Sequence, residues 1–293
     1  MQKGGYRVSI VIPNFNRRRD LERLLPSIAD QTFADYEVII IDDHSPDKSA
    51  AEYIREFITG HENMHLVENT ENIGFVKTCN KGIKLASSDY ICILTNDTEV
   101  TRDFVERNVK IMDADGSIGV LSCIIVDQYG NNWFSGGSLN TGIPLSLRED
   151  FEGVRQVDYV AGTACFYRRA VFDKIGLLDE YFVMYHEDVE FCWRVRSKTN
   201  YRTCVFGEKL VTHYTGSSSI ASNQSRYYLH GNYILLLRKY SPKLIPRALW
   251  FYLREIANLA VISVLKRSPS SFLPTFGIMR GTVAGLTGKN KEQ

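Results

Sequence analysis

Short apolar runs and amphipathic stretches alternate through the first 125 residues of the chain. VSIVI (8–12) precedes a helical pattern over Arg17–Gln31, and EVIII (37–41) precedes one over Lys48–Thr59. MHLV (64–67) leads to Phe75–Ala86, YICIL (90–94) to Arg102–Ala114, and IGVLSC (118–123) follows. Continuous Val/Ile runs are the signature of strands covered on both faces. The pattern therefore predicts βαβ units and a mostly parallel central sheet flanked by helices. From about 128 to 152 the chain is rich in Gly, Asn and Ser and reads as loop with at most a hairpin; regular structure resumes at VDYVAGTACFYRRAVFDKIG (157–176). There is no fixed-period repeat and no low-complexity tract.

After Gln224 the composition turns aromatic and basic. On a helical wheel Leu249, Leu253, Ile256 and Ala260 share one side, and Arg247, Arg254, Asn258 and Lys266 the other, with Trp250 and Tyr252 flanking. The overall charge of +1 conceals a split: residues 224–293 hold 11 Lys/Arg and 2 Asp/Glu, a net of +9. That leaves 24 basic and 32 acidic residues, a net of −8, in the rest. Two readings of this basic region stand side by side: a helix packed on the protein's own core, or attachment to an anionic membrane surface through 224–293. No run approaches the roughly 18–20 apolar residues of a spanning helix, and Val8–Ile12 is too short for a signal-peptide core. The six cysteines are scattered through apolar surroundings without a CxxC pair, which predicts reduced core residues of a cytoplasmic protein. No nucleic-acid partner is expected: a basic tail alone gives only salt-dependent binding to any duplex.

In a sheet of this kind ligands collect outside the carboxyl ends of the strands. Three of those ends are chemically unusual: PNFN (13–16), DDHSPD (42–47) and TNDTE (95–99). Asp42-Asp43 emerge where a buried strand ends, and such a carboxylate accepts a hydrogen bond from a base or ribose in nucleotide-binding α/β proteins. Asp47 is positioned to cap the next helix. In NIGFVKTCNKG (72–82), Gly74 stands at a helix start whose free N–H groups, with Lys77 one turn on, suit a phosphate; a plain turn is the alternative. GxGxxG and GxxxxGK[ST] are both missing, which removes the dinucleotide and P-loop readings. The oxygen-rich Asn96-Asp97-Thr98-Glu99 cluster favours a hard cation such as Mg²⁺ or Mn²⁺ that bridges to substrate phosphates. In MYHEDVEFCWRVRSK (184–198), Glu187 and Asp188 open a helix. The helix dipole stabilises acids there, and a carboxylate facing a cleft also serves as a general base. His213, in VTHYTGSSS, is either a core histidine or a metal ligand.

In order, VSIVIPNFNR, EVIIIDDHSPD, ENIGFVKTCNKG, YICILTNDTEV, VAGTACFYRRAVFDKIGLLDE, HEDVEFCWRVR and VTHYTGSSS resemble the family-2 glycosyltransferases of GT-A fold. The match runs from about Arg7 to Ser219. NDTEV with the late His-x-x-Gly-Ser most resembles the rhamnosyltransferase-like branch acting on bacterial surface glycans. The resemblance implies a GT-A domain over 1–223, with a nucleotide-binding half (about 1–125) and an acceptor half (about 126–223), followed by the helical region 224–293. It implies that Pro13 and Asn16 floor the nucleotide, that Asp43 binds the base, and that Gly74, Lys77, Asn80 and Asn96 complete the nucleotide-sugar site. Asp97, with Glu99 and His213, would hold Mg²⁺ or Mn²⁺. Asp188, with Glu187 beside it, would be the general base of an inverting transfer. The implied donor is a dTDP- or UDP-linked sugar, and the implied acceptor a glycan or a polyprenyl-diphosphate-linked sugar, handled in the cytoplasm or on the inner face of the plasma membrane. The chain departs from the family at Asn96, where the first acid of the Asp-x-Asp motif is expected, and lacks the arginine some members carry near Gly74. A sugar-1-phosphate nucleotidyltransferase would need a glycine-rich loop after the first strand, and PNFNRRR has no glycine. A non-catalytic nucleotide- or glycan-binding module would be expected to lose Asp97 or Asp188. The reading requires these two acids to meet in one crevice.

Overall fold

The computed structural model describes residues 5–139, 144–214, 223–265 and 274–288. Its strands are β1 (Val8–Asn14), β2 (Tyr36–Asp42), β3 (Met64–Glu68), β4 (Tyr90–Leu94), β5 (Thr98–Val100), β6 (Ile118–Asp127), β7 (Asn132–Phe134), β8 (Gly137–Ser138), β9 (Leu145–Ser146), β10 (Val154–Gln156), β11 (Ala164–Arg168) and β12 (Arg202–His213). The helices are α1 (Arg18–Ala29), α2 (Ser49–Phe57), α3 (Phe75–Leu85), α4 (Phe104–Ala114), α5 (Arg169–Ile175), α6 (Glu187–Lys198), α7 (Asn223–Tyr240), α8 (Ile245–Leu265) and α9 (Pro274–Thr287).

Every residue of β1, β2 and β4 is buried, as their unbroken apolar runs require of strands covered on both faces. Helix α1 turns Leu21, Leu24, Leu25 and Ile28 inward at helical spacing. Helix α3 lies so close to β1 that a Cβ at Gly82 would meet Val11 Cγ1 at 2.2 Å, so this contact requires glycine. The main sheet runs β10-β12-β6-β11-β4-β1-β2-β3. It is parallel from β3 through β4, as expected. Beyond that the pairing is mixed, because β11 inserts antiparallel between β4 and β6. That insertion brings the start of β11 beside the carboxyl end of β4, with Ala164 opposite Leu94.

The helices after 223 share this core. Tyr233, Ile234, Leu237, Ala248, Tyr252 and Ile278 belong to the same buried cluster as the sheet. Helix α9 packs on α7 through Gly281 and Gly285, where a Cβ at Gly281 would meet the Tyr227 carbonyl at 2.2 Å and one at Gly285 the Gly231 carbonyl at 2.4 Å. The expected amphipathic pattern of α8 needs correction. Its covered side centres on Ala248 and Tyr252, while Leu253 is 59% exposed. Lys266 lies outside the described residues. All six cysteines are buried and unbridged. Among the described residues no helix is long and apolar enough to cross a membrane.

Candidate active site

Strand ends β1, β2 and β4 are tied by a buried polar chain. Asn14 Nδ2 donates to Asp42 Oδ1 (2.8 Å), and Asn96 Nδ2 donates to Asn14 Oδ1 (2.8 Å). Asp42 also accepts the Ser45 N–H and hydroxyl. Pro13 is buried in β1 opposite Ile41, and Asn16 is exposed just beyond it. Asp47 accepts the Ser49 N–H at 2.9 Å, fastening the start of α2. Among the described residues four non-glycine residues adopt left-handed backbone: Asn16, His44, Tyr185 and His186. The first two follow β1 and β2, and the others immediately precede α6. Strain of this kind persists where surrounding structure holds it.

Asp43 is 4% exposed. Its Oδ1 accepts Asn69 Nδ2 (2.7 Å) and the Ile73 N–H (2.9 Å), and its Oδ2 accepts the Gly74 N–H (2.9 Å). The Gly74 amide at the start of α3, and that of Ile73 just before it, are therefore taken by the protein's own carboxylate. Asp43 in turn keeps little acceptor capacity for a base. Gly74 still needs to be glycine, with φ at 87°. Lys77 is exposed on α3. Asn80 does not fit a nucleotide-binding role: it is buried, its Nδ2 donates to the Leu178 carbonyl and Glu180, and its Oδ1 accepts the Leu178 N–H.

At the end of β4, Thr95 donates its hydroxyl to Asp97 Oδ1 (2.7 Å), and His213 Nε2 lies 3.4 Å from Asp97 Oδ2. The pairing of β12 with β5, His213 opposite Thr98, brings the histidine here. Burial pushes the Asp97 carboxyl up, but His213 and the Thr95 hydroxyl outweigh it and hold the group below its ordinary range. His213 Nδ1 is buried without a partner, and the Trp133 ring packs edge-on at 4.3 Å between centroids. One carboxylate and one imidazole 3.4 Å apart can both reach a cation at about 2.0–2.2 Å. The pair thus fits a divalent metal that takes its remaining ligands from water and phosphate. Glu99 does not join them. It stands opposite Thr212 on β12, so its side chain leaves the opposite face from that of His213, and its Oε2 accepts the Tyr214 hydroxyl (2.5 Å). No three His/Cys/Asp/Glu groups among the described residues cluster as a metal cage.

The acids of α6 arrive at the same place. Thr95 N–H donates to the Thr163 carbonyl (2.9 Å), and the adjacent Gly162 N–H donates to Asp188 Oδ2 (2.8 Å). A two-residue step at the start of β11 therefore connects the Asp97 corner to Asp188. Val189 N–H donates to Asp188 Oδ1 (2.7 Å). Burial raises the Asp188 carboxyl, and these amides oppose the rise. Glu187 is 7% exposed, and its Oε2 has no hydrogen-bond partner. Burial, with the Asp188 charge second, pushes it up to about 8. A buried pair of adjacent carboxyls keeps one proton between them at neutral pH. That proton belongs on Glu187, because Asp188 has two amides to stabilise its anion.

Helix α7 holds the strained turn that presents these acids. Asn232 Nδ2 donates to the Met184 and Tyr185 carbonyls (2.7 and 3.0 Å), and His186 Nε2–H donates to the Leu229 carbonyl (3.0 Å). Burial lowers His186 to about 4 and keeps it neutral. Asn14, Asn69, Trp133, Gly162 and Asn232 were not anticipated from sequence. Only the polar end of PNFN and a lone tryptophan in a Gly/Asn/Ser-rich stretch hinted at any of them.

Residues 9–176 match the family model described as Glycosyl transferase family 2. The chain is 25% identical over 199 residues to the low-salt glycan biosynthesis hexosyltransferase Agl10 of Haloferax volcanii, covering 64% of this chain and 61% of that protein. It is 25% identical over 213 residues to the amylovoran biosynthesis glycosyltransferase AmsB of Erwinia amylovora, covering 70% and 69%. The chain thus spans about three fifths to two thirds of these relatives. Among solved structures it superposes on the mannosyltransferase PcManGT from Pyrobaculum calidifontis in complex with GDP-Man and Mn²⁺, with TM-score 0.64, 16% identity, and coverage of 98% and 89%. It also superposes on GalNAc-T7 with UDP, GalNAc and Mn²⁺, with TM-score 0.63, 17% identity, and coverage of 81% and 48%. At these identities the likeness establishes the fold, GT-A.

Proposed function

Because the chain belongs to glycosyl transferase family 2, we propose that it transfers a sugar from a nucleotide-diphosphate donor to a hydroxyl of a glycan or lipid-linked acceptor, inverting the anomeric centre. One observation carries the reading: Thr95, Thr163 and Gly162 link Asp97 to Asp188 across the ends of β4 and β11. The proposed metal-and-phosphate corner and the proposed base thereby stand together at one end of the sheet.

In this reading Asp188 takes the proton of the acceptor hydroxyl as its oxygen attacks the anomeric carbon, a contribution of about 10²–10⁴-fold. Glu187, carrying its proton, stays neutral beside Asp188 and leaves it the one anion of the pair. Asp97 and His213 would hold Mg²⁺ or Mn²⁺, which would supply positive charge against the departing diphosphate. Pro13, Asn16 and Asn96 line the nucleotide, Asp43 retains one acceptor position for the base, and Lys77, exposed on α3, is the candidate to meet phosphate. The UDP of GalNAc-T7 makes a UDP-hexose the first donor to test. A dTDP-linked rhamnose is the second, on the NDTEV and His-x-x-Gly-Ser spacing. The glycan-assembly roles of Agl10 and AmsB support a surface-polysaccharide acceptor. A polyprenyl-diphosphate carrier for it would put the enzyme at the inner face of the plasma membrane, in contact through 224–293.

The test is thermal stabilisation by a panel of nucleotide sugars with Mn²⁺, repeated on Asp97→Ala. One donor should raise the melting temperature only with metal, and Asp97→Ala should erase that rise. A donor that binds equally well without metal and to the variant would remove the metal corner from the reading.

A further inference from the structure

Helices α8 and α9 leave an apolar, positively charged face uncovered. Fourteen large apolar side chains are exposed among the described residues, and ten of them lie on these two helices. That concentration is not the scattered exposure of an ordinary surface. On α8 the exposed arc is centred on Val261 (57%) and Arg254 and includes Trp250 (65%) and Leu265 (77%). The opposite arc, with Ala248 and Tyr252, is buried on the core. A helix apolar on both sides needs cover on both. On α9 Phe276, Met279 and Val283 are exposed, while Gly281 and Gly285 are buried against α7. The two helices touch each other and both pack on α7.

Charge decides between possible covers. The exposed arcs carry Arg247, Arg254 and Arg280. The only acid on α8, Glu255, points inward to His230 and Arg226, and α9 has none. A second copy of the chain docked face to face would set arginine against arginine across a dry interface. An anionic bilayer surface meets both needs at once: acyl chains for the apolar side chains and lipid phosphates for the guanidinium groups.

We propose that the outer face of α8 and α9 docks this protein in the plane of an anionic membrane, inserting Trp250, Leu265 and Val283 beneath headgroups that neutralise Arg247 and Arg254. This deepens the lipid-linked-acceptor reading given above, but its test needs no transfer activity.

The full chain is mixed with phosphatidylcholine vesicles with and without phosphatidylglycerol. Co-sedimentation and tryptophan fluorescence are followed, Trp250 being the one exposed tryptophan among the three. Binding should require the anionic lipid and blue-shift the emission, and Trp250→Phe should lose most of that shift while still sedimenting. Trp250→Glu with Leu265→Glu should abolish binding, whereas Arg247→Gln and Arg254→Gln should each weaken it about fivefold. No binding to anionic vesicles, equal binding to neutral ones, or a dimer disrupted by the glutamate pair in the absence of lipid would each overturn the proposal. Metal-dependent donor binding by the glutamate pair, measured separately, should match that of the parent chain. Its loss in both proteins would count against the glycosyltransferase reading and leave the vesicle result standing.

Discussion

The two acids that open α6 are neighbours in sequence with different local chemistry. Asp188 spends both oxygens on backbone amides, whereas Glu187 has an oxygen with no partner. Asp188→Asn keeps one carbonyl acceptor where two amides need one. It should lose roughly 10²–10⁴ in transfer rate with donor affinity within a few-fold. Glu187 allows a sharper test. Its folded-state value near 8 exceeds the ordinary 4.5, so the folded protein holds this proton more tightly than the unfolded chain. Stability must then fall as pH rises from 4.5 to 8, and the whole cost, on the order of a few kcal/mol, is present above that window. Glu187→Gln removes the titration. It should melt close to the parent in acid and clearly above it in alkali, as thermal scans across the window would register. If the protonated form is the working one, parent activity should also decline above about 8, and the glutamine variant should lose that alkaline limb. Parallel melting curves at every pH would mean that Glu187 is ionised like a surface carboxylate.

Strands β1, β2 and β4 and helices α1 to α4 are legible in the chain because each buries one apolar pattern against its neighbours, and their ends match expectation closely. Asp97 is legible for a related reason: charge directly after a buried run is costly unless used. The acids at 187 and 188 are legible only as acids at a helix start and through the family resemblance. What stayed hidden depends on distant partners. Nothing local marks β11 as the antiparallel insert that joins β4 to α6, nor Asn232 as the clamp on residues 184–185, since an asparagine in a helix reads as surface. Glu99 misled because spacing along β5 says nothing about which face its partner β12 presents. The clamp is itself testable. Asn232 is fully buried, and Asn232→Ala leaves two buried carbonyls of a left-handed turn without their donor, a cost of about 1–3 kcal/mol. The turn should relax and carry Asp188 with it. The expected result is a fall of at least an order of magnitude in turnover with little change in donor affinity; a variant destabilised yet fully active would free α7 from any part in the site.

At the scale of the whole molecule, charge and core divide the chain differently. The first 223 residues carry the net −8 and the acids of the proposed site, a field that disfavours an anionic diphosphate unless a cation accompanies it, as the proposed reading requires. Of the +9 of the remainder, a net of +5 lies on α7, α8 and α9, helices that nonetheless complete the main core. Tyr233, Ile234, Leu236 and Leu237 of α7 are 0–3% exposed within it. At about 1.5–3 kcal/mol for each buried side chain, their loss removes on the order of 6–12 kcal/mol, against a typical domain stability of about 5–15 kcal/mol. A chain ended at 222 should therefore show no cooperative melting and no donor binding, although the composition boundary near 224 invites exactly that cut as a domain border. A chain ended at 265 keeps α7 and α8 and, of the described elements, loses α9, which rests on α7 through glycines and adds Ile278 to the core. It should melt cooperatively at a lower temperature and still bind donor. If the shorter chain instead melted cooperatively and bound donor like the parent, the C-terminal helices would be an appendage, and the clamp on the α6 turn would have no energetic weight.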